Sequence, residues 1–254
     1  MDLALADRVH ENLMQTSAWI GEARGGALQR DAGELLFASA SEMPFLNGVM
    51  RQRSDDDADR LLCRAKDFFF SHSRGFVVFT WPGDPALERA AVAAGMTPVL
   101  ERYPEMVCTR KLDRLPGDVE PVTSAADARA YWEVCEGAYA ALGFPPGVFA
   151  AAFTPEELLL ERVWPCLARD GGRPVACALA FMTPGVGMIG WVAALPEARG
   201  KGLAAACTVA ATNEALRRGA DVVSLQASSM GEDLYRRLGY EELFSYRLLG
   251  AMPG

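Results

Sequence analysis

The chain has 254 residues, half of them hydrophobic, and a formal net charge of −8 at neutral pH. This length is enough for one large or two ordinary domains, and no uninterrupted apolar run reaches the length of a membrane span. Neither half of the chain is basic, which argues against general binding of nucleic acid.

The first half of the chain alternates predicted strands and helices. Apolar runs predict strands over residues 35–39, 49–50 and 75–80. Residues 56–71 carry apolar side chains on one side of a helix, and residues 85–94 predict a second helix. This half is therefore expected to be an α/β unit of its own. A charged segment with a Pro-Gly pair, residues 111–118, follows it and is the best linker candidate.

The second half shows the same alternation of strands and helices. Its predicted elements are a helix at 125–142, a hairpin of strands 165–168 and 174–182, a strand at 188–194, a helix at 204–218, a strand at 220–227 and a short helix within 228–240.

Small residues dominate the turn between the strand 188–194 and the helix that follows it. Gly200, Gly202 and Ala204 have little or no side chain, so an anion can approach the backbone N–H groups there. The first N–H groups of a helix have no intrahelical partner and lie at the positive end of its dipole. Arg199 and Lys201 add positive charge. The turn predicts a site for a phosphorylated ligand, although an isolated Arg-Gly-Lys-Gly sequence also fits a plain tight turn.

Two common phosphate-binding loops do not fit this turn. A P-loop requires Ser or Thr after its lysine, whereas Lys201 is followed by Gly202 and Leu203. A dinucleotide fingerprint requires a third glycine, and Ala205 stands at that position.

The pattern Arg-x-x-Gly-x-Ala at residues 199–204 resembles the GNAT superfamily of acyl-CoA-dependent N-acyltransferases. Further along the chain, residues 228–240 resemble the second motif of that family, a short helix with Leu234-Tyr235 that ends at Gly239-Tyr240. The resemblance covers roughly residues 118–250 and rests on both motifs in their usual order. It implies an α/β (α+β) fold in which helices flank a central mixed sheet.

The first half contains a faint copy of the same pattern. Residues 76–80 and 87–96 parallel residues 222–225 and 234–240, and Tyr235 then falls opposite Ala91. No Arg-Gly-x-Gly turn precedes the helix in the first half. The prediction is a tandem arrangement, with a degenerate GNAT-like domain at 1–115 and a catalytic domain at 116–254. The alternative is convergence, because any α/β unit alternates strand and helix.

The resemblance implies which residues bind acetyl-CoA. Backbone groups of Val192, Ala193 and Ala194 would pair with the pantetheine arm, and the N–H of Ala193 or Ala194 would bind the thioester oxygen. The strand that carries them usually has a bulge and splays from its neighbour. Ser228 holds the position where many relatives have a cofactor-binding Asn. The pyrophosphate would lie against the residues of the turn, which are Arg199, Gly200, Lys201, Gly202, Leu203, Ala204 and Ala205.

Tyr235 occupies the position of the usual general acid of the family, which protonates the departing thiolate. Its unperturbed pKa of about 10 keeps the phenol protonated at neutral pH. The alternative is a core tyrosine whose hydroxyl bonds a carbonyl group. The sequence indicates no general base, since the strand 188–194 is uncharged. Glu136, Glu156 and Glu157 could substitute through water, but each fits a solvated helix charge better than a base, and no base is assigned.

The expected activity is transfer of an acetyl group from acetyl-CoA to an amine of a small molecule or a peptide. The aromatic segment 139–153 would line the acceptor pocket or simply pack on the core. A non-catalytic acyl-CoA-binding sensor is the alternative function, and a nucleotide-binding protein is a third.

Metal, membrane and nucleic acid are not expected as partners. The six cysteines are scattered and form no C-x-x-C pair, and the chain has only two histidines. Buried free thiols are therefore expected rather than disulfides or a zinc site. The N-terminal residues lack the basic region and apolar core of a secretory signal, so a cytoplasmic protein is expected. The chain has 22 arginines, only three lysines and many alanines, which suggests a GC-rich bacterial genome. Whether the chain forms a homodimer stays open.

Overall fold

The structure is a computed structural model that describes residues 1–23, 25–54 and 57–252. Its helices and strands are α1 (Leu3–Glu22), β1 (Ala27–Asp31), β2 (Glu34–Ala38), β3 (Asn47–Arg51), α2 (Ala58–Ser71), β4 (Phe76–Thr80), α3 (Pro85–Ala93), β5 (Thr97–Cys108), β6 (Asp118–Pro121), α4 (Ala125–Ala140), β7 (Val163–Asp170), β8 (Arg173–Thr183), β9 (Val186–Ala194), α5 (Leu203–Arg217), β10 (Val222–Gln226), α6 (Glu232–Leu238) and β11 (Glu241–Ala251).

The chain divides into two compact units. The first contains Met1–Glu105 and the residues from Glu242 onward, and the second contains Met106–Glu241. These limits differ from those predicted for the two domains, 1–115 and 116–254, which remain a prediction. The difference arises because the last strand, β11, pairs antiparallel with β4 of the first unit, a long-range contact that local sequence does not reveal.

The first unit is a mixed sheet with helices packed on it. Strands β1, β2 and β3 are antiparallel neighbours, and β4 is parallel to β3. Helix α2 has a strong apolar face, on which Leu61, Ala65 and Phe69 are buried at helical spacing. The predicted helix 56–71 is thus present from Ala58, while Asp56 lies outside the described residues.

The second unit contains every element predicted for it, with ends shifted by a few residues. Strands β6, β7, β8 and β9 pair antiparallel in that order, and β10 is parallel to β9. Ala176, Ala178 and Ala180 of β8 pack in one cluster with α5, whereas Cys177 contacts Cys135 of α4. Because alternate residues of a strand face opposite sides, α4 and α5 cover opposite faces of this sheet.

The two units share one order of elements. In each, three consecutive antiparallel strands (β1–β3 and β7–β9) are followed by a helix, by a strand parallel to the last of the three, and by a further helix. The predicted α/β fold with a mixed sheet flanked by helices is confirmed. No helix in the described ranges is long and apolar enough to cross a membrane.

Candidate active site

The turn before α5 is open on its outer side. Gly200 and Gly202 have φ values of +77° and +76°, in the left-handed region that glycine adopts without strain. A Cβ placed on either glycine would meet no atom within 4 Å. Gly202 is the N-cap of α5, and no side chain caps the helix there. The glycines therefore give the chain its turn and leave space above the backbone.

The N–H groups at the start of α5 point into this space. The first hydrogen bond of the helix runs from Ala206 N to Gly202 O at 2.9 Å. Within the described residues, the N–H groups of Leu203, Ala204 and Ala205 have no acceptor. Three open donors at the positive end of a helix of fifteen residues form an anion-binding site.

The two cations of the turn are held by other groups. The Lys201 Nζ lies 2.7 Å from the Asp170 Oδ2 in an exposed pair. The Arg199 guanidinium donates to the main-chain oxygen of Ala138, near the end of α4, at 3.3 Å. Asp170 was not predicted, because it stands at the end of β7 and no local pattern connects it to the turn.

The strand before the turn has both features expected of it, a bulge and a splayed end. The pairing of β9 with β8 shifts register between Gly190 and Ala193, where Trp191 and Val192 lie opposite Ala178 alone. Trp191 has a φ of +51°, which is rare for so bulky a residue. The parallel pairing of β9 with β10 extends only from Val186 to Met188 in the described chain. Beyond Met188, no strand of the described residues pairs with this edge of β9.

The ladder after the bulge fixes which N–H groups face the open edge. Leu195 N donates to Val175 O at 2.9 Å, so the Ala194–Ala176 pair is flanked by hydrogen bonds rather than joined by them. The next pair, Ala193–Cys177, consequently exchanges its hydrogen bonds, and the Ala193 N–H is directed at β8. Of the two predicted donors to the thioester oxygen, Ala194 alone directs its N–H away from β8.

Tyr235 lies on α6 with its side chain 9% exposed. Its ring packs edge-on against Tyr240, at 6.1 Å between centroids, and no hydrogen bond of its hydroxyl is found among the described residues. Burial raises the pKa of Tyr235 to about 12. The phenol therefore holds its proton at neutral pH, and among the described residues no acceptor competes for that proton, unlike in a core tyrosine bonded to a carbonyl.

Ser228 and Tyr235 approach each other over Gly231. A Cβ on Gly231 would lie 2.8 Å from Tyr235 Cε2 and 3.4 Å from Ser228 Oγ. Leu203 and Tyr235 belong to one buried cluster, and Val192 and Ala194 pack against it. The fold thus brings together the end of β9, the start of α5 and the acid candidate on α6.

Two of the carboxylates considered as bases are used by the backbone. Glu136 accepts hydrogen bonds from Phe149 N at 3.1 Å and Gly147 N at 3.3 Å, which fastens the aromatic segment to α4. Glu157 accepts from Thr154 N at 2.6 Å in a capping box. Glu156 is exposed. These contacts favour structural roles for Glu136 and Glu157.

The aromatic segment packs on the bulge. The rings of Tyr139, Phe149 and Phe153 surround Trp191 with centroid distances of 6.2, 5.0 and 5.6 Å. Phe149 and Phe153 are almost completely buried. In the described ranges no three His, Cys, Asp or Glu side chains converge as a metal site would require, and the six cysteines are free thiols.

Residues 130–240 match the model of the acetyltransferase (GNAT) family. This part of the chain is a GNAT domain. It contains the open turn, the bulged strand and α6. No curated protein matches the sequence significantly.

Several solved structures are similar to the whole chain. A GCN5-related N-acetyltransferase from Kribbella flavida is 24% identical, with a TM-score of 0.73 over 98% of this chain and 96% of that one. A tandem GNAT protein from the clavulanic acid biosynthesis pathway is 14% identical, with a TM-score of 0.63 over 98% and 96% of the two chains. A GCN5-related N-acetyltransferase from Sphaerobacter thermophilus is 20% identical, with a TM-score of 0.64 over 87% and 80%. The first unit is thus also GNAT-like by fold, as the tandem prediction required.

Proposed function

We propose that the second unit is an acetyl-CoA-dependent N-acetyltransferase that acts on an amine of a small molecule or a peptide. The observation that carries the proposal is the row of open N–H groups at Leu203, Ala204 and Ala205 beside the unpaired edge of β9. A diphosphate fits the open N–H groups, and an extended arm that pairs like a strand fits the unpaired edge of β9. Both features stand within the GNAT domain.

The residues of the chain divide the work of binding. The turn 199–205 holds the pyrophosphate through backbone N–H groups, with Lys201 exchanging its Asp170 partner for a phosphate. Val192 and Ala194 offer backbone groups on the open edge of β9 to the pantetheine arm, and Ser228 adds a hydroxyl. This binding fixes the thioester beside the acceptor, which supplies the entropic part of catalysis.

Tyr235 supplies the proton that the leaving group needs. The amine nitrogen forms a bond to the acyl carbon, the carbon–sulfur bond breaks, and the phenol gives its proton to the departing thiolate. The proton lost by the amine passes to water, because Glu136 and Glu157 are engaged with backbone N–H groups. That same engagement favours the second candidate, a sensor that binds acyl-CoA without turnover. We further propose a bacterial cytoplasmic location without nucleic acid, membrane or metal as partners.

Release of free CoA from acetyl-CoA in the presence of a panel of amines tests the proposal. We expect turnover with at least one amine, and a loss of about 100-fold in Tyr235→Phe because the general acid is removed. Acetyl-CoA binding by calorimetry should stay unchanged in that variant, because the phenol acts on the departing thiolate and not on the bound thioester. Tyr246→Phe in the first unit is the matched control. Binding without release on any amine would support the sensor instead, and stabilisation by ATP but not by acetyl-CoA would exclude both.

A further inference from the structure

The main-chain oxygen of Trp191 points out of the strand and into a group of buried donors. The Tyr131 hydroxyl donates to it at 3.2 Å, and the thiols of Cys135 and Cys177 each approach it at 3.8 Å. All three side chains are completely buried. Thiols are weak donors, so the Tyr131 hydroxyl is the main partner of this carbonyl.

This arrangement accounts for the unusual backbone at the bulge. A tryptophan at a φ of +51° does not persist unless its surroundings hold it there. The rings of Phe149 and Phe153 pack around its side chain, and the donors from α4 and β8 hold its carbonyl. Side chain and main chain of Trp191 are therefore constrained by different groups.

The orientation of the carbonyl decides the orientation of the next N–H. In a trans peptide the C=O of Trp191 and the N–H of Val192 point in opposite directions. Because the carbonyl faces α4 and β8, the Val192 N–H points away from both. Val192 itself packs against the cluster that contains Leu203 and Tyr235.

We infer that Tyr131 is a positioning residue, whose hydroxyl holds the Trp191–Val192 peptide so that the Val192 N–H binds the thioester oxygen while negative charge develops on it. The inference rests on the proposed function and assigns the oxyanion donor to Val192 instead of the predicted Ala193 or Ala194, so that Ala194 remains available to the pantetheine arm. Tyr131 itself contacts neither substrate. Its effect passes through one peptide bond, and an N–H fixed in advance at the oxygen is worth more than one that must reorient.

Burial keeps the donors protonated. It raises the pKa of the Tyr131 phenol and of the Cys177 thiol, and the neighbouring Cys135 and Cys166 thiols and the Tyr139 phenol act on Tyr131 in the same direction. The hydrogen bond to Trp191 is consequently present across the neutral range.

Infrared difference spectra of acetyl-CoA labelled with ¹³C at the carbonyl test this inference without an acceptor. A hydrogen bond to the thioester oxygen lowers its stretching frequency. We expect a lowered band on the wild-type protein and a return toward the free value in Tyr131→Phe. Turnover by Tyr131→Phe should fall about tenfold or more, which approaches the loss caused by removal of one oxyanion donor. Its KM for acetyl-CoA should change by less than about threefold. Cys177→Ala should give a smaller change of the same sign.

Tyr246→Phe is again the matched control, because it removes a hydroxyl that lies 2.9 Å from the His10 ring in the buried core of the first unit. It should leave the carbonyl band unchanged, and its thermal unfolding shows how much stability is lost when a buried tyrosine hydroxyl is removed elsewhere in the chain. An unchanged band in Tyr131→Phe, or in Cys177→Ala if the first variant does not fold, would overturn the inference. So would a wild-type band at the free value. Failure of the wild-type protein to bind acetyl-CoA at all would instead overturn the proposed function.

Discussion

A carboxylate at the N-cap of α5 tests the phosphate turn most directly. Gly202 is exposed, has a φ of +76°, and has no atom within 4 Å of a Cβ placed on it. Gly202→Asp therefore meets no steric barrier in the free protein. Asp tolerates the left-handed region better than most residues and favours the positive end of a helix. We expect a change in the free energy of unfolding of about 1 kcal/mol or less.

The same substitution should strongly oppose a bound diphosphate. Two unit charges about 4 Å apart repel by about 1 kcal/mol in water and by about 4 kcal/mol at an effective dielectric constant of about 20. A carboxylate facing two phosphates at a partly exposed turn therefore costs about 3 kcal/mol. This energy corresponds to about a 100-fold weaker affinity for acetyl-CoA.

Isothermal calorimetry with acetyl-CoA gives the affinity, and thermal unfolding of the same samples gives the stability. Gly202→Asn has the same shape without the charge and should lose less than about tenfold in affinity. Gly219→Asp is the matched control at the other end of α5, where another exposed glycine has a φ of +98° and free space at its Cβ. Equal affinities in wild-type protein and Gly202→Asp would refute the assignment of the turn to the pyrophosphate.

Two further predictions concern charges outside the turn. Asp170→Asn should tighten acetyl-CoA binding a few-fold in calorimetry, because Lys201 no longer pairs with a carboxylate and is available to the phosphate. The free energy of unfolding should stay within about 1 kcal/mol of wild type, because the pair is exposed. Weaker binding would contradict this role of Lys201. Burial lowers the pKa of His10 from 6.5 to about 4. Between these two pH values the unfolded chain takes up a proton that the folded chain does not, so stability falls by about 3 kcal/mol as pH drops through this window. Urea unfolding at pH 7 and pH 4 should show this loss, and His10→Gln, which does not titrate, should reduce it; an equal loss in that variant would contradict the assignment.

The turn and α5 were predictable from sequence because their requirements are local. A left-handed φ without strain requires glycine, and Gly200 and Gly202 provide it where the chain turns into α5. The helix after it is built of strong helix formers and ends before Gly219, so its first N–H groups could be placed in advance.

The bulge at Trp191 was expected only through the resemblance, and its details were not predictable. Local preference disfavours a left-handed tryptophan, and the groups that impose it are distant in sequence: Tyr131 and Cys135 on α4, and Cys177 on β8. Asp170, which pairs with Lys201, is likewise distant from its partner in sequence. Contacts between distant segments decide these positions, and one sequence without its fold does not show them.

The first unit already has the kind of helix start that Gly202→Asp would introduce in the second unit, a carboxylate at the N-cap. Helix α2 corresponds in that unit to α5 in the second, since each follows the last strand of an antiparallel series, β3 and β9. Its N-cap is Asp57, whose carboxylate accepts from Asp59 N at 2.9 Å and Arg60 N at 3.4 Å. The N–H groups that an anion would need are thus taken by a negative side chain. A helix start capped in this way is stable and repels phosphate, which is why we expect acetyl-CoA to bind the second unit and not the first.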